Sequence, residues 1–217
     1  MRLGFERAVL VAATIGGLGA FGADAGGEGI VEPSYGRIEG DMTIVAGAGA
    51  VVTSGGPRAT GELRLRYLET VGVFGAYEDG DLVGSASDPR RAVSAGFELR
   101  PLFLYRWLQG LETRRARWDL LLDSLGLELG MIWVEPKEAP FATHPGLEAG
   151  LGIEFPIVPA ASGPWIGVHG GARWGDDMLA SGMARTGEDR EAYLSITIAW
   201  HQVIAAHVVD VGDRALP

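Results

Sequence analysis

Apolar and polar residues alternate along most of this 217-residue chain, and the alternation returns in blocks. Leu147–Phe155, Ile166–Trp174 and Ala192–Trp200 each run nine residues, with one parity apolar and the other polar or glycine. In the first block Leu147, Ala149, Leu151, Ile153 and Phe155 share a face, opposite Glu148, Gly150, Gly152 and Glu154. Side chains alternate faces along a strand, so the pattern predicts two-faced β-structure. Nine or more tilted residues also match a strand that crosses a bilayer, whereas soluble strands usually have about five or six.

The same reading extends upstream. Tyr35–Thr53 sets Ile38, Met42 and Ile44 against Arg37, Glu39, Asp41 and Thr43. Glu62–Tyr77 reads as one strand, with Leu63, Leu65, Tyr67, Val71 and Val73 on its apolar face. Glu69 falls on that face and breaks the pattern, as a bulge or a strand leaving the membrane would. Val93–Phe103 and Leu125–Trp133 complete seven strands, and Ala206–Val211 is a weak extra one. Residues 104–123 place Leu104, Leu108, Leu111, Trp118, Leu121 and Leu125 at helical spacing, with Arg114, Arg115 and Arg117 as a polar face. A short helix or an irregular loop is expected there.

Bacterial outer-membrane barrels have an even strand number, so about eight strands are expected, the eighth not located by the pattern. Counting from Tyr35 puts the long loops 78–91, 135–146 and 175–191 on the periplasmic side. An additional strand before Tyr35 would reverse them, and a C-terminal one would restore even parity without moving them.

The N-terminus adds a compartment. Arg2 and Arg7 flank the start of the apolar run Ala8–Gly22, which Ala23-Asp24-Ala25 follows. This is the order of a secretory leader, so residues 1–25 are expected to be removed. Residues 26–203 then form the barrel domain and 204–217 a tail or weak final strand. Composition narrows the chemistry. A net charge of −10 argues against a nucleic-acid partner. The absence of cysteine removes disulfide scaffolds and thiol chemistry.

A half-buried soluble sheet has the same period, and a soluble periplasmic β-sandwich or calycin-like binding protein is the alternative. Three features favour an antiparallel up-and-down barrel of transmembrane type. Nine tilted residues project to roughly 23 Å, near the height of a barrel's apolar band. Aromatics stand at the ends of apolar faces, where interfacial girdles belong: Tyr67, Tyr77, Phe103, Trp133, Phe155, Trp174 and Trp200. The polar parity mixes both charges with glycine, as a narrow interior requires. On it lie Arg37, Glu39, Asp41, Glu62, Arg64, Arg66, Glu98, Arg100, Glu128, Glu148, Glu154, His169 and Arg173.

With its leader, strand lengths and aromatic placement, the chain resembles the small eight-stranded outer-membrane proteins of Gram-negative bacteria, the OmpA-transmembrane-domain and OmpW-like group, over residues 28–203. The resemblance implies an outer-membrane location and a closed or porin-like barrel with outer-membrane lipids as its surroundings. It departs at the end: such barrels commonly finish on an aromatic, and this chain finishes Arg214-Ala215-Leu216-Pro217. Trp200 is the matching aromatic only if residues 201–217 are a tail.

An eight-stranded interior is just wide enough to be filled by side chains. The charged set is therefore expected to be a salt-bridged plug, with a narrow pore or small-ligand site as the sharper alternative. No catalytic residue, metal or cofactor is assigned. A lipid hydrolase or acyltransferase would need Ser195 within reach of a histidine. His201, six residues along the same strand, is roughly 20 Å away, which leaves His169 across the ladder. Asp176-Asp177 and Glu188-Asp189 read as solvated loop charge rather than a cation site.

Overall fold

A computed structural model describes residues 35–84, 86–175 and 190–206. The leader, the weak strand at 206–211 beyond its first residue, and the four loop acids Asp176, Asp177, Glu188 and Asp189 lie outside the described residues. Eight antiparallel strands close into an up-and-down barrel. They are β1 (Met42–Thr53), β2 (Gly56–Tyr67), β3 (Val71–Asp79), β4 (Arg91–Leu99), β5 (Gly126–Glu135), β6 (Gly146–Pro156), β7 (Gly163–Trp174) and β8 (Arg190–Ile204). β1 pairs with β8 from Met42↔Ile204 to Thr53↔Tyr193, so no edge strand is left unpaired. Two short helices, α1 (Leu102–Leu108) and α2 (Ala116–Asp123), fill the connection between β4 and β5. No described helix is long and apolar enough to cross a bilayer.

The eighth strand lies inside the segment read as one. Leu68 and Glu69 both adopt left-handed backbone, φ 48° and 53°, and the chain reverses between β2 and β3 through residues 68–70. Turns of this kind usually recruit glycine, asparagine or aspartate, and none is present, so the sequence carries no turn signal. The Glu69 defect is the turn itself. Its side chain is buried and lies 3.6 Å from Arg100.

This extra strand corrects the loop assignment. The chain enters at Met42 and leaves at Ile204 at one end, which also holds residues 68–70, the helical connection and residues 157–162. The strand ends that flank 78–91, 135–146 and 175–191 stand at the other end with the Ser54-Gly55 turn, opposite Met42 and Ile204.

The strand parities place charge inside and hydrocarbon outside. Arg58, Arg66, Glu154 and His201 are fully buried, while Leu63, Phe97, Leu129 and Ile198 are among the most exposed residues. A calycin-like barrel would carry its apolar parity inward to hold a ligand, so the soluble alternative fails on the direction of the pleat. The one described apolar cluster is small. Leu120, Ala161 and Trp165, with Tyr35 and Val203 against them, close the terminal end.

Candidate functional site

The inward parity of seven strands, β2 to β8, converges on a two-layer ion network, with Val45, Gly47 and Val51 of β1 against it. In the layer nearer the termini, Arg64 on β2 reaches Glu62 at 2.7 Å, Glu98 on β4 at 2.8 Å and Glu128 on β5 at 2.5 Å. Arg66 pairs with Glu98 and, at 2.8 Å, with Glu154 on β6. Arg100 holds the other Glu154 oxygen at 2.6 Å. His169 Nδ1 lies 2.8 Å from Glu128, which makes that nitrogen the donor. Thr197 Oγ1 donates to Glu62 at 2.6 Å. His201 stands 3.4 Å from Glu154 and stacks on Trp165, with ring centroids 4.5 Å apart.

The layer nearer the long loops is built on Glu78. Arg58 donates to it at 2.9 Å and Arg173 at 2.5 Å, and Arg173 also takes Glu148 at 2.6 Å. The Arg173 guanidinium lies 4.3 Å from the centroid of the Tyr193 ring. Between the layers a cavity of about 30 Å³ remains, space for one or two waters and for no larger solute. Toward the loops the interior widens into a cleft of about 410 Å³ lined in part by His144, Arg173, Trp174 and Glu191.

Glycine on the inward parity makes room for these groups. A Cβ at Gly152 would stand 2.4 Å from His169 Nδ1, and one at Gly150 would stand 2.4 Å from the Tyr193 hydroxyl. The charge-plus-glycine composition of that parity is thus a packing solution: large ionic side chains cross a narrow interior only where facing positions lack side chains.

The helical connection seals the terminal end with a second polar cluster. Arg37 binds Asp123 and, at 2.9 Å, Glu112. Arg106 of α1 binds Asp119 and Asp123 of α2, both at 2.6 Å. The Tyr35 hydroxyl donates to Asp119 at 2.9 Å. Burial beside that carboxylate pushes the Tyr35 hydroxyl up to about 12, so it stays a donor at neutral pH. Burial alone would raise the Asp119 carboxyl, but the Thr113 N–H, Arg106 and Tyr35 hold it below the usual range. Glu112 moves the other way, raised by burial despite Arg37.

Of the charged residues expected on the lumen face, Glu62, Arg64, Arg66, Glu98, Arg100, Glu128, Glu148, Glu154, His169 and Arg173 meet in the network. Three do not. Arg37 is buried, but in the helical seal, because the chain before Met42 is not strand. Glu39 is exposed, and Asp41 lies just outside β1 at the rim. Among the aromatics, Tyr67, Phe155 and Trp200 lie on the outward parity toward the terminal end, and Tyr77, Trp133 and Trp174 toward the other. Phe103 is not an interfacial ring. It lies in α1, fully buried beneath Arg37, whose guanidinium stands 4.1 Å from its centroid.

Sequence reading passed over Arg58, Glu78 and Tyr193 as members of the interior, and placed His201 on the inward face without giving it a part in the ion network. Extending the polar parity of β2 and β3 to the true strand ends would have reached Arg58 and Glu78, and Tyr193 shares the parity of Ser195 within the Ala192–Trp200 block. Arg106, Asp119 and Asp123 carried no such signal, because polar residues on short helices ordinarily face water.

Ser195 and His169 face each other across the β7–β8 ladder. The His169 ring nevertheless leans toward Gly152 and Gly167, where an added Cβ would stand 2.4 and 2.8 Å from its nitrogens. No hydrogen bond joins it to Ser195, so the nucleophile–base contact that activates a serine is missing.

No family model matches the chain, and no curated protein does. Among solved structures it is similar to the Acinetobacter baumannii CarO2 barrel, at 13% identity over 74% of this chain and 99% of that one, with a TM-score of 0.42. It is also similar to Neisserial surface protein A, at 13% identity over 73% of this chain and 94% of that one, TM-score 0.36. A third is Ail, the attachment invasion locus protein of Yersinia pestis, solved with the heparin analogue sucrose octasulfate. There the identity is 11% over 74% of this chain and 96% of that one, TM-score 0.30. The barrel architecture rests on the closed eight-strand ladder of this chain.

Proposed function

We propose that this chain is an integral outer-membrane protein whose barrel is a closed structural element of the envelope, not an open pore and not an enzyme. One observation carries the reading: the polarity of the barrel is inverted. Exposed Leu, Ile, Val and Phe cover the outward parity of all eight strands, and buried Arg–Glu pairs fill the inside. In water such a surface would far exceed the apolar patch a soluble monomer tolerates. In lipid it is the required face, and a closed barrel leaves no backbone group unpaired. Two filled layers and a sealed terminal end support a closed state. By the usual rule of short periplasmic and longer external loops, the barrel end with Met42, Ile204 and the helices belongs to the periplasmic side.

Fractionation with gels of boiled and unboiled protein tests the location. A heat-shifted band in the outer-membrane fraction is expected; a soluble periplasmic protein with one mobility would defeat the reading. Planar bilayers test closure, with silence expected and stable unit steps contradicting it. Turnover of a lipid that disappears in Ser195→Ala would contradict the non-enzymatic part.

A further inference from the structure

Helices α1 and α2 bury Phe103 and Leu120 but also bury charge and expose much of their apolar surface: Arg106, Asp119 and Asp123 are buried, while Tyr105, Leu108 and Trp118 are 60%, 70% and 58% exposed. Short helices at the end of a soluble domain bury the apolar stripe and wet the charges. The exposed stripe is also aimed. Trp118 and Leu122 share one face of α2 at i, i+4 spacing, and exposed Leu125, just beyond the end of the helix, leads from it to Leu127, the first lipid-side residue of β5. Beside it, exposed Ile157 and Val158 continue the outward face of β6 beyond Phe155. Arg117 ties the two connections together, donating to the Ile157 carbonyl at 3.2 Å.

Three arginines border this stripe. Arg114, Arg115 and Arg117 are all exposed, and among the described residues none is paired with a carboxylate. That is unusual in a chain whose formal charge is −10. Guanidinium groups beside exposed indole and phenol rings match the chemistry of a headgroup layer, phosphate above and hydrocarbon below.

We infer that the helical connection docks in the plane of the membrane: Tyr105, Leu108, Trp118 and Leu122 enter the headgroup–acyl boundary of the leaflet on the terminal side, and Arg114, Arg115 and Arg117 bind phospholipid phosphates there. The inference rests on the barrel being membrane-inserted and adds a lipid-binding surface to it. The consequence is mechanical. Lipid that holds the outer face of α2 also holds Asp119 and Asp123 under the barrel, so the seal is set by the leaflet as well as by the ion pairs.

The chain has no cysteine, so single fluorophore sites report without background. Labels at Leu108→Cys, Leu151→Cys and Lys137→Cys are compared in phosphatidylcholine vesicles, with and without phosphatidylglycerol, carrying nitroxides at the headgroup or mid-chain. The expected result is headgroup-nitroxide quenching at position 108, mid-chain quenching at 151 and neither at 137. Anionic lipid should strengthen quenching at 108, and a variant with R114Q, R115Q and R117Q together should lose that gain, roughly fivefold in lipid affinity per arginine. Quenching at 151 without any at 108 overturns the docking and leaves the barrel in its membrane. A label at 108 shielded from water yet unquenched means a protein covers the face, and also overturns it. An anionic-lipid gain unchanged in the triple variant removes the arginines' role. No quenching at 151 defeats the membrane reading itself.

Discussion

Ser124 holds Glu154: its hydroxyl accepts the Glu154 N–H at 2.8 Å, and its one proton is shared between the Glu154 carbonyl at 2.8 Å and the Leu121 carbonyl of α2 at 2.7 Å. Ser124 caps the C-terminal end of α2, and the Glu154 side chain carries Arg66 and Arg100 inside the barrel. One hydroxyl therefore couples the helical seal to the ion network. Ser124→Ala leaves a buried strand amide unsatisfied and is expected to cost about 1–3 kcal/mol. Hydrogen exchange should locate the loss, with faster exchange in α2 and around Glu154 than in β2.

Within the network the arginines are not equivalent to those at the rim. Arg66→Ala removes the cation that Glu98 and Glu154 share and leaves them to Arg64 and Arg100 alone, and an expected cost of roughly 3–5 kcal/mol follows from a broken buried pair. Arg91, a third exposed and paired with Asp79 at 3.0 Å, should cost far less when removed, because solvent screens a rim pair. Urea unfolding of vesicle-inserted protein compares the two directly. Equal midpoints would mean the interior is wet.

Glycine in this barrel is a matter of space. Gly152→Ala drives a methyl group into the His169 ring and off its bond to Glu128, for an expected loss of roughly 1–3 kcal/mol. At Gly75, on the outward parity, a Cβ meets nothing nearer than 3.8 Å, and Gly75→Ala should be neutral or mildly stabilising. Thermal midpoints of the two variants test whether the inward glycines hold the room the network needs.

The seal should respond to acid in a direction set by Asp119. Its carboxyl titrates below its unfolded value, so its contribution is present above the unfolded pKa and is lost as pH falls through the folded one. Glu112, held above the ordinary range, has the opposite sign: what it adds is present at low pH and is lost as pH rises through its folded value. Asp119→Asn should accordingly loosen the helices at neutral pH and flatten their acid release, while Glu112→Gln should be near neutral or stabilising at pH 7. Protease cleavage within residues 109–115 across a pH series reads both.

Much of this was legible from period alone. Where strands bury one parity against a confined interior, as at Glu62, Arg64 and Arg66, residue type reports the face. The β2–β3 reversal was hidden because Leu68 and Glu69 take left-handed backbone without glycine, and the ladder on both sides holds the turn. Helix between 104 and 123 was legible from its spacing, but its faces were not. Phe103 reads as the end of a strand and is buried in α1, while Arg106 and Asp119, which would ordinarily face water, are buried. Arg58 and Glu78 were missed because the segment read there, Glu62–Tyr77, begins after the first and ends just before the second, while β2 starts at Gly56 and β3 runs to Asp79.

The inverted barrel is tested most directly at Leu151. This residue is 54% exposed at the middle of β6, paired with Leu127 and Gly170. If lipid covers it, Leu151→Arg should lower the unfolding free energy in vesicles by roughly 2–4 kcal/mol, as at a bilayer midplane. A change within about 0.5 kcal/mol, as for an exposed residue in water, would contradict the account.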